Sequence, residues 1–191
     1  MNEIVLTPVQ IVDIRNKAKD ARKWFGITDD EAPIANDIFK LIERRNIILC
    51  EYPFDISEDS HTDATLTRFE TGGDPIVFIG LNTSLYYDEQ MFALAHELYH
   101  YITQTGKAYT EEETEDPILE KKADRFAAEL LLPGSVLENR VLNEFGERKI
   151  DGSRVLRTLR FIARLQSEWW LPYHAKSDKN HRFLTHLLIY S

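Results

Sequence analysis

An α+β fold is predicted, on three observations. Apolar residues recur at helical spacing up to about residue 45, give way to a β-rich pattern between residues 46 and 82, and return to helical spacing from residue 89. A Gly-Gly turn, T-G-G-D at 71–74, separates two β-rich runs and predicts a hairpin. The chain has 191 residues, 43% of them hydrophobic, which is enough for one sizeable core with at most a small appendage.

The elements follow in order. Thr7, Pro8 and Gln10 predict a helix start: a capping hydroxyl, proline at the first helical position, and glutamine to close a capping box. Val9, Val12, Ala18, Ala21 and Trp24/Phe25 form its inward stripe, and Gly26 its end. A second helix is predicted from Pro33 to about Arg45, with Ile34, Ile38, Leu41 and Ile42 inward. N-I-I-L-C-E-Y (46–52) is β-rich, and a polar loop separates it from A-T-L-T-R-F-E (64–70) and P-I-V-F-I-G-L-N (75–82). Glu89 to Thr103 is a helix apolar on most sides and therefore buried. Thr105 to Asp116 is an acidic surface loop. Asp116 and Pro117 open a helix that stops before Pro133; Ser135 and Glu138 predict a capping box for a helix to about Phe145. Gly146 to Gly152 is a polar connector, Ser153 to Ser167 an arginine-rich helix, and the tail is weakly patterned. The organisation expected is an N-terminal helix over 1–30, a core over 31–135 and a C-terminal helical segment over 136–191.

Composition narrows the function. A net charge of −9 argues against duplex nucleic acid as the partner of the whole chain. The single cysteine, Cys50, excludes an internal disulfide and fits a reducing compartment. The first ten residues show no basic or apolar leader pattern, and no stretch approaches the ~18 apolar residues of a spanning helix. A cytoplasmic protein with no membrane partner is expected.

H-E-L-Y-H at 96–100 carries the chemistry. On a helix, His96 and His100 share a face and converge on one ion, while Glu97, about 100° around, reaches a water beside it. Two histidines and a glutamate are expensive on a buried helix unless satisfied, and a metal satisfies them. A catalytic zinc needs a third ligand and an open position. Glu120 and Asp124, again four apart, offer that ligand and an acceptor for the other ring N–H of a histidine. The competing reading of that pair is an exposed acidic first turn favoured by the helix dipole.

D-E-Q-M-F-A-L-A-H-E-L-Y-H followed by E-K-K-A-D-R-F-A-A-E-L-L-L-P resembles the ImmA/IrrE family of zinc metallopeptidases. The hairpin ahead of it matches that family's layout, and the resemblance covers residues 30 to 135, reaching toward 175. It implies a small zincin-like sheet packed against the active-site helix and a following ligand helix, with extra helices at both ends. It implies one Zn2+ on His96, His100 and Glu120, general base/acid work for Glu97 and a supporting place for Asp124. Two positions depart from the family pattern: Tyr99 replaces a small residue, and Asp124 replaces a common asparagine while keeping its acceptor. Tyr99, Tyr101, Tyr173, His174, His181 and His186 are equal candidates for a donor to the tetrahedral oxyanion. In zincin-like proteases an extended substrate adds to a strand edge, here expected on P-I-V-F-I-G-L-N unless both its edges are paired.

The resemblance further implies a zinc endopeptidase that cleaves a specific regulator, an XRE-type helix-turn-helix repressor or an antitoxin, in a stress-response or toxin–antitoxin setting. The rival from another class is a zinc-containing regulatory module that sequesters its partner with little proteolysis. Arg154, Arg157, Arg160 and Arg164 form one helical stripe, read as a solvated face ahead of a docking surface for an acidic partner or for DNA. The run around Trp169 and Trp170 bears a faint likeness to a helix-turn-helix, and both rings are expected as core or interface anchors.

Overall fold

Helices flank a small sheet in chain order in the computed structural model, which describes residues 5–34, 37–54, 62–70, 72–105, 116–147 and 155–172. The order is α1 (Pro8–Trp24), α2 (Asp37–Glu43), β1 (Ile47–Tyr52), β2 (Ala64–Phe69), β3 (Ile76–Asn82), α3 (Tyr87–Thr103), α4 (Pro117–Leu131), α5 (Gly134–Phe145) and α6 (Val155–Trp169). The architecture is α+β, as expected.

The sheet runs β1-β3-β2. β2 and β3 form the antiparallel hairpin, with Leu66 opposite Ile79; β1 lies parallel to β3, with Leu49 opposite Ile79. This corrects one expectation. β3 is paired along both edges, so it cannot accept a substrate strand; the outer strands are β1 and β2. Alternation sorts the faces. Ile47, Leu66, Val77, Ile79 and Leu81 are buried beneath the helices, whereas Ile48 and Ile76 on the other face are exposed.

α1 starts with the predicted capping box: the Gln10 N–H donates to Thr7 Oγ1 (3.3 Å) and the Thr7 N–H to Gln10 Oε1 (2.8 Å). Gly26 follows at φ +82°, a left-handed turn that glycine adopts without a Cβ penalty. The inward stripe differs from the one expected. Ile14, Ala18, Ala21, Arg22 and Phe25 are buried, whereas Val9 and Val12 are 79% and 57% exposed. The 4-3-4 spacing from Ile14 leaves Val9 and Val12 on the solvent face.

α2 begins at Asp37, later than the predicted Pro33, although Ile34, Ile38 and Ile42 are buried as expected. α3 begins two residues earlier than predicted, because the Tyr86 N–H donates to Glu89 Oε2 (3.0 Å). α4 is capped as predicted, Asp116 Oδ1 accepting from the Ile118 N–H (2.9 Å), and ends before Pro133. The second capping box does not form. α5 starts at Gly134 behind Pro133, which puts Ser135 inside its first turn, and the residue at the N-cap position, Pro133, has no side chain that can cap it. In α6, Phe161, Leu165 and Trp169 face inward; Trp170 is 42% exposed and meets Tyr87 edge-on. Arg157 and Arg164 both pair with Glu144 on α5. Arg154, the acidic loop at 106–115, the connector at 148–154 and the tail from 173 lie outside the described residues. No helix among the described residues is long and apolar enough to cross a membrane.

Candidate metal centre

α3 and α4 build the site together. The apolar face of α3 (Met91, Leu94, Ala95, Leu98) is fully buried, which fixes its rotation and aims His96 and His100 at α4. On α4, Ala123, Phe126, Ala127 and Leu130 are buried and fix the rotation of the helix, so that Glu120 and Asp124 face the histidines.

His96 Nε2 lies 3.2 Å from His100 Nε2 and 3.2 Å from Glu120 Oε2, and His100 Nε2 lies 3.6 Å from Glu120 Oε1. These ligand atoms all fall within 4.8 Å of one another. With bonds of ~2.0–2.1 Å to a tetrahedral zinc, neighbouring ligand atoms sit ~3.3 Å apart, so the three separations fit one ion. Two nitrogens and one carboxylate leave the fourth position open, the donor set of a catalytic zinc site.

The remaining ring nitrogens are engaged. His96 Nδ1 donates to Asp124 Oδ1 at 2.9 Å, as the sequence proposed for Asp124. His100 Nδ1 meets Thr105 Oγ1 at 3.2 Å, a partner the sequence reading missed. A threonine in a polar stretch gives no signal at sequence level; the contact arises because Gln104 adopts φ +55° and turns the chain back over His100.

Charge favours cation uptake. Burial pulls the His96 imidazole down, but its hydrogen bonds with Asp124 and Glu120, and the charges of Asp124 and Glu97, outweigh that and raise it to about 10. Burial, with the charge of His96, holds His100 below its usual range. Metal-free His96 therefore keeps a proton at neutral pH that a metal must displace. Zinc uptake at pH 7 is expected to release about one proton per ion, and apparent affinity to rise about tenfold per pH unit below pH 9. Calorimetric titration in two buffers of different ionisation enthalpy reads the proton count; no release refutes the expectation.

Glu97 is 9% exposed, next to His96 on α3. Tyr99 is packed in the core on Phe126, 4% exposed, and burial with the charge of Asp13 on α1 pushes its hydroxyl up. Its ring therefore faces the core, as a large residue at that position of a buried helix must. Tyr101 stacks on Trp24. Tyr173, His174, His181 and His186 lie outside the described residues.

A family model described as Peptidase_M78, IrrE N-terminal-like domain, matches residues 43–159, more than half of the chain, and spans both helices of the candidate site. No curated protein matches the chain.

Proposed function

The chain belongs to the Peptidase_M78 (IrrE N-terminal-like) family, and from that premise we propose that it is a zinc endopeptidase cutting a specific regulatory protein, a helix-turn-helix repressor of XRE type or an antitoxin. The observation that carries the reading is the convergence of His96 Nε2, His100 Nε2 and the Glu120 carboxylate within the span of one ion. A net charge of −9 suits a basic partner such as a DNA-binding regulator.

His96, His100 and Glu120 would hold the metal. Zinc bound there supplies Lewis acidity to a water and to the scissile carbonyl. The Glu97 carboxylate takes the proton of the attacking water and delivers it to the nitrogen of the leaving amine. Asp124 accepts the His96 Nδ1 proton and so keeps Nε2 toward the metal. An extended substrate segment would add to the outer edge of β2, the strand at the α3 side of the sheet; Arg68 on β2 donates to the Tyr101 carbonyl of α3 and holds that edge to the helix.

The test pairs metal analysis with cleavage. The purified chain is expected to carry close to one zinc and to cut a helix-turn-helix regulator at a discrete bond, with the products identified by mass spectrometry. Glu120→Ala is expected to lose both the zinc and the cleavage. Wild-type zinc content in Glu120→Ala would refute the ligand set. A zinc-loaded chain that binds such a regulator and leaves it intact would favour the sequestering module.

A further inference from the structure

We propose that Thr103 and Thr105 form a hydroxyl relay that sets the tautomer of His100 and thereby its readiness to bind metal; Thr105 is a positioning residue that acts through the ring. The proposal rests on the metal reading of the site, and its direction follows from hydrogen-bond bookkeeping. A backbone carbonyl only accepts. The Thr103 hydroxyl lies 2.7 Å from the Tyr99 carbonyl and spends its single proton there. The 2.6 Å contact between Thr103 Oγ1 and Thr105 Oγ1 must then carry the Thr105 proton into Thr103. With its proton committed, Thr105 Oγ1 can only accept at its 3.2 Å contact with His100 Nδ1. His100 is therefore protonated on Nδ1, and its Nε2 lone pair faces His96 and Glu120.

The two histidines are oriented by different devices. A carboxylate orients His96 and brings charge; a neutral chain ending on a helix carbonyl orients His100. A second carboxylate behind His100 would add another anion to a site that already holds Glu97, Glu120 and Asp124 around His96. The backbone holds Thr105 in place: its N–H donates to the His100 carbonyl (3.0 Å) after the left-handed turn at Gln104.

Removing Thr103 should matter although it does not touch the ring. In Thr103→Val the Thr105 proton loses its acceptor and turns toward His100 Nδ1, which shifts the proton to Nε2, the face that must meet the metal.

Zinc affinity is measured on the full chain by competition with a chromophoric chelator, and the tautomer by long-range proton–nitrogen NMR of the zinc-free chain. Thr105→Val and Thr103→Val are each expected to weaken zinc binding about 10- to 100-fold, and the serine variants at both positions to restore it. The double valine variant should bind no worse than Thr105→Val alone, because both act on one chain of bonds. His100 should be the Nδ1–H tautomer in the wild type and shift toward Nε2–H in Thr103→Val. Wild-type affinity in either valine variant overturns the relay. An Nε2–H tautomer in the wild type overturns it as well, and that reading needs neither a folded variant nor bound zinc. A wild-type chain that takes up no zinc but shows the Nδ1–H tautomer sinks the metal reading and leaves the relay standing.

Discussion

Glu97→Gln is expected to leave a folded chain that carries its zinc and no longer cuts its substrate. The proposed ligand atoms belong to His96, His100 and Glu120, so the exchange leaves all three in place. Glutamine matches glutamate in shape and keeps a carbonyl oxygen, so the packing of a 9% exposed side chain is preserved. What disappears is a group able to take a proton from water and give it to an amine. Loss of a positioned general base or acid lowers a rate by about 10²- to 10⁴-fold, and one carboxylate serving both steps points to the upper end. The measurement is the single-turnover rate of regulator cleavage, with zinc content determined on the same sample. Cleavage at the wild-type rate would remove Glu97 from the mechanism. Loss of zinc together with cleavage would mean that Glu97 holds the ion and that the three-ligand assignment is incomplete.

Features that a few neighbouring residues dictate were legible in the sequence. The Thr7–Gln10 box, the Asp116 cap, the hairpin around residues 71–74 and the buried face of α3 all follow from short-range chemistry. The spacing of His96 with His100, and of Glu120 with Asp124, was legible for the same reason: a helix puts positions four apart on one face. Features set by distant partners were not. The parallel pairing of β1 with β3 closes the edge of β3, and no local pattern in I-I-L-C-E-Y announces it. Val9 and Val12 look like core residues until the spacing from Ile14 fixes the helix rotation. Ser135 and Glu138 have the spacing of a box, but Pro133 and Gly134 start the helix first. Thr105 was illegible because its role depends on one left-handed residue.

The same limit hid a buried charge. Glu129 reads as one more acid in A-A-E-L-L-L-P, yet it is 3% exposed. Its Oε1 accepts from Arg15 Nε on α1 (2.9 Å) and from Arg125 Nη2 one turn back on α4 (2.5 Å), and its Oε2 accepts from the Gly134 N–H (2.8 Å). One carboxylate thus joins α1, α4 and the first turn of α5. Gly134 is part of the same construction, since a Cβ there would stand 3.1 Å from Glu129 Oε2 and from Arg15 Nη2. Arg22, 1% exposed, adds a second tie, donating to the Leu130 carbonyl at the C-terminal end of α4 (2.9 Å) and to the Ala32 carbonyl (2.5 Å).

Glu129→Leu is therefore expected to destabilise the fold by about 3–5 kcal/mol, because it removes the buried carboxylate that Arg125 and the Gly134 N–H share. The volume change is small, so a cavity contributes little. Arg15→Leu removes a partner that is 34% exposed and is expected to change stability by about 1 kcal/mol or less. Converting Arg125 to Met together with Glu129→Leu should recover part of the loss, since a buried ion pair replaced by apolar groups is often neutral while the Gly134 N–H still lacks the Glu129 acceptor. Urea unfolding of the four chains measures these differences. A Glu129→Leu chain within about 1 kcal/mol of wild type would show that the carboxylate is not a structural tie. The effect on the metal separates structure from chemistry. Glu120 lies nine residues away on the same helix and faces α3, whereas Glu129 faces α1. Zinc bound per folded Glu129→Leu chain should therefore match wild type even as the folded fraction falls.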